Sequence, residues 1–177
     1  MIVLPSWLNF RARKGPITTI VLHGTAGSSA SSSIAWLRKI KLSYHAVIAD
    51  ENDKEGDGVI TKCVPDSRVA FHAGKSTGPN GPNVNGYSLG ISFSNMETGT
   101  DRISSRQWES AVVRCAQWCQ AYPTILAITT HAIISPGRKF DPRGPVAFWP
   151  STKPFPLREF CKQVSERVGR QIVPWGA

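Results

Sequence analysis

The chain has 177 residues, 41% of them hydrophobic and 19% charged, which is the length of one domain and a composition that excludes a disordered polycation. Its 21 Lys+Arg against 12 Asp+Glu give a formal net charge of +9; nucleic acid, acidic lipid and acidic cell-wall polymer satisfy that excess equally. Met1 to Pro5 lacks the apolar core of a signal peptide, and no stretch approaches the roughly 20 apolar residues that span a bilayer. The expectation is therefore a protein made in the cytoplasm without a signal peptide or a transmembrane segment.

Thr18 to Leu22 is a β-branched run that reads as a buried strand ending at His23-Gly-Thr-Ala-Gly27. The serine-rich stretch from Ser28 to Ser33 leads into a helix with Ile34, Leu37 and Lys41 marking its period. Tyr44 to Ala49 alternates as a strand, Asp50 to Gly58 is an acidic loop, and Val59 to Val64 returns as the second arm of a hairpin. Ser67 to Gly86, rich in Gly, Pro and Asn, forms a long ordered loop, the kind that usually carries function.

Tyr87 to Phe93 is a further strand. Ser104-Ser-Arg-Gln107 has the form of a capping box, followed by Trp108, Ala111, Val112, Cys115, Ala116, Cys119 and Tyr122 at helical spacing until Pro123. Leu126 to Thr130 is strand-like and delivers His131. Five prolines between Ile133 and Pro156 forbid regular structure there, and Leu157 to Val168 is an amphipathic helix. Interleaved strands and helices without repeats predict one α/β domain over residues 1–177, with a central mixed β-sheet flanked by helices. Cys63, Cys115, Cys119 and Cys161 form no Cys-x-x-Cys pair and read as buried thiols rather than metal or redox groups.

The chemistry is expected from histidine. His23 and His131 each follow a strand, where a short turn can aim both into one cleft, and Ser135 to Pro142 presents Lys139 and Asp141 two residues apart. A histidine at a strand end is also often a satisfied structural residue. Read as ligands, two neutral imidazoles and one carboxylate make a three-ligand zinc site with an open fourth position, the hydrolytic rather than the structural type. Its net charge of about +1 would acidify bound water.

The chain resembles the zinc-dependent N-acetylmuramoyl-L-alanine amidases, the family of phage amidase-type lysozymes, muropeptide-recycling amidases and peptidoglycan recognition proteins. The resemblance is carried by Ile20-Val-Leu-His-Gly-Thr25, Ser43-Tyr-His-Ala-Val-Ile48, Ala70-Phe-His-Ala-Gly74, Asn85-Gly-Tyr-Ser-Leu-Gly-Ile91 and His131-x7-Lys139-x-Asp141-Pro142. These stand in the family's order across residues 18–142, leaving 143–177 as a C-terminal loop and helix too short for a separate wall-binding module. The resemblance implies Zn2+ held by His23, His131 and Asp141. It implies catalytic roles for Tyr44 and Lys139, donating hydrogen bonds to the developing oxyanion; the alternatives are a strand tyrosine packed at the cleft edge and a solvated loop lysine. It places His72 in the substrate groove, and Asn85 either contacts substrate or fixes the loop-to-strand turn. His45 points away from Tyr44 and reads as structural, while Trp149 could border the cleft. Recycling-type relatives carry a glutamate where this chain has Ser92, which leaves the general base open.

The implied function is hydrolysis of the amide between N-acetylmuramic acid and L-alanine of peptidoglycan, by a monomer acting as a phage endolysin on the wall from the periplasm or from outside. The alternatives are a bacterial muropeptide-recycling amidase and a non-catalytic recognition module. The last loses a zinc ligand in such relatives, whereas all three are present here. Nucleic-acid binding is disfavoured because the basic residues form no clustered stripe.

Overall fold

The computed structural model describes residues 3–5, 7–149 and 154–177. The elements run β1 (Val3–Pro5), β2 (Phe10–Ala12), β3 (Thr19–Gly24), α1 (Ala30–Lys39), β4 (Ala46–Ile48), β5 (Ile60–Lys62), β6 (Arg68–Ala70), β7 (Thr77–Gly78) and β8 (Gly81–Pro82). A 3-10 turn (Val84–Gly86), β9 (Ser88–Phe93), α2 (Ser105–Ala121), β10 (Ala127–Thr130), α3 (His131–Ile134), α4 (Leu157–Val168) and β11 (Val173–Pro174) complete the chain. Seven strands make one sheet in the order β1-β5-β4-β9-β3-β10-β11. Within it β4 and β5 pair antiparallel as the expected hairpin, and the other pairs are parallel. The domain is thus the mixed α/β sheet that the interleaved pattern predicts, and β11 ties the C-terminal segment to the sheet edge beside β10.

Strand alternation divides the central strands into two faces. Ile20 and Leu22 of β3, Leu89, Ile91 and Phe93 of β9, Ala46 and Ile48 of β4, and Ile128 of β10 join one core with α2 and α4. The α2 helix begins with the anticipated capping box, Ser104 with Gln107, and turns Trp108, Ala111, Val112, Cys115 and Cys119 inward. Leu157, Phe160, Cys161 and Val164 of α4 enter the same core. All four cysteines are buried free thiols.

On the other face α1 packs Ile34 and Leu37 against Val47 and Leu8, with its N-terminus capped by Ser29. The central strands present there Thr19, Val21 and His23 from β3 and Ser88, Gly90 and Ser92 from β9. His23 stands in register with Ser92, and Leu22 with Thr130, so His131 emerges beside His23.

Three sequence expectations are adjusted. The stretch from Tyr44 to Ala49 is strand only over Ala46–Ile48, leaving Tyr44 on the approach to β4. The long loop carries β6, β7, β8 and the 3-10 turn. His131 opens α3, whose N-cap Thr130 accepts a hydrogen bond from Ile133 N–H.

Candidate metal centre

His23, His131 and Asp141 converge, each offering one ligand atom, with these atoms within 4.8 Å of one another. Nδ1 of His131 lies 3.1 Å and Nδ1 of His23 3.3 Å from the same oxygen, Asp141 Oδ2. Ligand atoms on a tetrahedron with bonds of about 2.0–2.1 Å stand about 3.3–3.4 Å apart, so these two nitrogen–oxygen separations fit a first-row cation. His23 is fully buried, and its Nδ1 makes no aligned hydrogen bond among the described residues. A buried nitrogen left without a partner is costly, and a metal supplies the missing partner.

The far side of each imidazole fits the same arrangement. If Nδ1 faces a metal, Nε2 must carry the proton and needs an acceptor. His131 Nε2 lies 3.3 Å from Ala73 O. His23 Nε2 lies 3.0 Å from His72 Nδ1, His72 Nε2 lies 3.2 Å from Ser88 Oγ, and Ser88 Oγ donates to Val84 O at 2.7 Å. The chain of donors therefore runs in one direction, from His23 through His72 and Ser88 to a main-chain carbonyl. His72 finds room because residue 90 is glycine: a Cβ there would lie 2.6 Å from the His72 ring.

His72 thus differs from its expected place in the substrate groove. It is buried beneath His23, and both ring nitrogens are used inside the protein. Asn85 likewise takes the structural branch of its two readings, its Oδ1 accepting from the main-chain N–H groups of His72 and Ala73 at 3.1 and 2.8 Å. These bonds fix the backbone that carries His72 and the Ala73 carbonyl. His45 has an internal place too, its Nδ1 accepting from Gly90 N–H at 2.9 Å while Nε2 lies 3.1 Å from Arg68 O.

Burial pushes the imidazoles of His23 and His45 down to about 4 and holds His72 well below its ordinary range, so all three are neutral at pH 7. Burial opposes ionisation of Asp141, but the adjoining His131 and His23 imidazoles outweigh it and keep the carboxyl below the usual range. A neutral His23 imidazole and an ionised Asp141 are the donor forms a divalent metal needs.

Tyr44 and Lys139 border the same cleft, a hollow of about 300 Å³ that also meets Gly24, Thr25, Glu97, His131, Arg138, Phe140, Asp141 and Arg143. The Tyr44 ring lies 4.9 Å from that of His23, and burial, then the Asp141 charge, raises its phenol well above the ordinary range. Tyr44 is accordingly a neutral hydrogen-bond donor. Arg138 secures the loop carrying Lys139 and Asp141, donating to the carbonyls of Ala73 and Lys75 at 2.9 Å each and to Ser135 Oγ at 2.8 Å. Past Tyr44, Thr25 and Ala26 the cleft continues into a second hollow of about 340 Å³ lined by Ser28, Ser32, Ser33 and Trp36. Trp149 lies instead in a larger apolar hollow of about 850 Å³ beyond Phe140 and Pro142.

The structure therefore brings His23, His131, Asp141, Tyr44 and Lys139 together and withdraws His72 and Asn85 behind them. Sequence reasoning missed Glu97 and Arg143, which also face the cleft. Glu97 is the one acidic residue in the five after Ser94, directly downstream of a strand that ends in the cleft; that position was the available signal.

Comparison with known proteins agrees with the geometry. The family model described as N-acetylmuramoyl-L-alanine amidase matches residues 13–144. The 1,6-anhydro-N-acetylmuramyl-L-alanine amidase AmpD of Escherichia coli strain K12 is 32% identical over 136 residues, 76% of this chain and 69% of the relative. The crystal structure of an AmpD selenomethionine derivative superposes with a TM-score of 0.67 at 22% identity, covering 92% of this chain and 93% of the other. The E. coli amidase AmiD, solved with the substrate anhydro-N-acetylmuramic acid-L-Ala-D-gamma-Glu-L-Lys, matches with a TM-score of 0.65 at 22% identity over 91% of this chain and 61% of its own. With the family model spanning most of the chain and the His-His-Asp cluster in place, this protein belongs to the N-acetylmuramoyl-L-alanine amidase family.

Proposed function

We propose that the chain is a zinc-dependent hydrolase that cleaves the amide joining the lactyl group of N-acetylmuramic acid to L-alanine, acting on anhydro-muropeptides released from peptidoglycan. The observation that carries the reading is the convergence of two imidazole Nδ1 atoms on one Asp141 oxygen at the floor of an open cleft. His23, His131 and Asp141 would hold the ion, which supplies Lewis-acid chemistry and an acidified water when bound. The chain's own groups do the rest. Tyr44 and Lys139 are placed to donate hydrogen bonds to the oxyanion of the tetrahedral intermediate, and His72 and Ala73 hold the ligand rings in orientation.

The preference for soluble anhydro-muropeptides rests on the curated AmpD relatives, whose name specifies the 1,6-anhydro sugar. Action on the intact wall, as in the endolysin reading, is the second reading. It is favoured by the +9 net charge, which would retain the enzyme on a polymer bearing stem-peptide carboxylates.

The test is mass spectrometry of digests of an anhydro-N-acetylmuramyl tripeptide and of purified sacculi. The expected product is a peptide with a free L-alanine amino group, lost with chelator and restored by zinc, with faster turnover of the soluble fragment. Faster turnover of sacculi would favour the wall-lytic reading, and chelator-insensitive cleavage or cleavage at another bond would contradict the assignment.

A further inference from the structure

Glu97 reaches the cleft from the loop between β9 and α2. That loop is held closely: Asn95 Oδ1 accepts from Glu97 N–H at 2.6 Å, Asn95 Nδ2 donates to Asp101 O at 2.9 Å, and Asp101 Oδ2 accepts from Met96 N–H at 2.5 Å. Thr25 Oγ1 closes on the main chain of Asn95 from β3's side, 3.2 Å from N and 3.3 Å from O. Within it Glu97 takes a φ of +59°, a left-handed conformation that costs a side-chain-bearing residue about 1 kcal/mol or more.

That backbone turns the side chain inward onto Gly24, the residue after the ligand His23. A Cβ at position 24 would lie 1.5 Å from Glu97 Oε1, so the carboxylate occupies the space that any other residue there would fill. Both carboxylate oxygens are shielded from solvent and lack an aligned hydrogen bond among the described residues. The main-chain N–H and the charge of Arg143 offset part of the burial, and without a metal the carboxyl is still raised to about 8; a dication held by His23, His131 and Asp141 would favour the ionised form that a base requires. A strained backbone carrying a desolvated, unsatisfied carboxylate into a reactive cleft is costly for a purely structural group. Its oxygens stand outside the ligand cluster of His23, His131 and Asp141, so it faces the site without completing it.

We infer that Glu97 is the carboxylate that takes the proton from the attacking water. The inference rests on the amidase reading above. One O–H bond of the water breaks with the proton passing to Glu97, while the water oxygen bonds to the lactyl carbonyl carbon. The C–N bond then breaks with its electron pair on nitrogen, and Glu97 returns the proton to that nitrogen. The products are the lactyl carboxyl group and the free amino group of L-alanine, and the carboxylate is regenerated.

The test compares zinc-loaded full-length wild type with Glu97→Gln and Glu97→Asp on the anhydro-muramyl tripeptide, with zinc content and thermal unfolding measured on each. Glu97→Gln is expected to lower kcat about 100-fold or more, with KM, zinc stoichiometry and the unfolding midpoint retained. Glu97→Asp, which keeps the charge on a shorter stem, should retain more activity than the amide. A Glu97→Gln enzyme within about threefold of wild-type kcat, or one whose loss tracks lost zinc or lost fold, overturns the inference while leaving the amidase reading intact. A wild type that cleaves nothing overturns both.

Discussion

The two faces of the central sheet are built from the same strands by opposite rules. On β9, Leu89, Ile91 and Phe93 meet α2 and α4, whereas Ser88, Gly90 and Ser92, one residue out of phase, form the floor beneath the histidines. All six are fully or nearly fully buried, so exposure does not distinguish the faces; side-chain chemistry and size do. The apolar face supplies cohesion, since burying each Leu, Ile or Phe side chain is worth about 1.5–3 kcal/mol. The polar face gives up much of that gain, with glycine and serines making room for imidazoles whose nitrogens must all be satisfied. Stability and chemistry are thus carried by opposite sides of one sheet, and substitutions on each side should fail in different ways.

The largest separation is expected from Asp141→Ala. Loss of the shared oxygen should abolish zinc retention and lower hydrolysis by several kcal/mol of barrier, about 1000-fold, as measured by metal analysis and a product assay, with the apolar face intact by circular dichroism. Leu89→Ala tests the opposite side: unfolding free energy in urea should fall by about 2–5 kcal/mol, with zinc affinity unchanged in the folded protein. If Leu89→Ala instead weakened zinc binding before it weakened the fold, the two faces would not be separable.

A subtler probe is His72→Leu, which removes the acceptor for His23 Nε2–H while keeping a side chain against Gly90. Zinc affinity by competition titration should fall about 10–100-fold, and the free-substrate KM should stay near wild type because His72 does not reach the cleft. A raised KM with unchanged zinc affinity would return His72 to the substrate groove.

The smallest effect concerns His45. Its folded pKa of about 4 lies below the ordinary 6.5, so below about pH 6.5 the unfolded chain takes up a proton that the native imidazole refuses. Stability must therefore fall as pH drops from 6.5 toward 4, and His45 contributes a loss of about 1 kcal/mol between pH 7 and 5.5. Urea unfolding at the two pH values in wild type and His45→Gln checks this: the variant should show the smaller loss, and an equal loss would remove His45 as a cause.

Much of this division is legible in the sequence. The β-branched runs before His23 and His131 give the parallel central strands, and the Ser104/Gln107 box marks the start of α2. Other features are not, for physical reasons. The edge strands β1 and β11, and β2, which pairs with β6 in a separate two-stranded sheet, are two or three residues long, too short to display alternation. His72 and Asn85 lie in or beside irregular backbone, where no periodicity tells whether a side chain turns toward solvent or toward the core. Glu97 stands directly downstream of a strand that ends in the cleft, but its inward turn depends on a left-handed backbone fixed by Asn95 and Asp101, a tertiary arrangement. The clustering of His23, His131 and Asp141 is legible because these residues end regular elements or sit in an ordered motif, whereas the places of His72 and Asn85 behind them are set by packing.

On this reading the polar face is a metal cradle formed by two Nδ1 atoms and one carboxylate oxygen. Anomalous diffraction at the zinc edge from crystals of the zinc-loaded protein tests it most directly. One peak is expected, bonded to His23 Nδ1, His131 Nδ1 and Asp141 Oδ2 at about 2.0–2.2 Å from each, with His72 still on His23 Nε2. A peak elsewhere, or a zinc bound through the Nε2 atoms with His72 displaced, would contradict it.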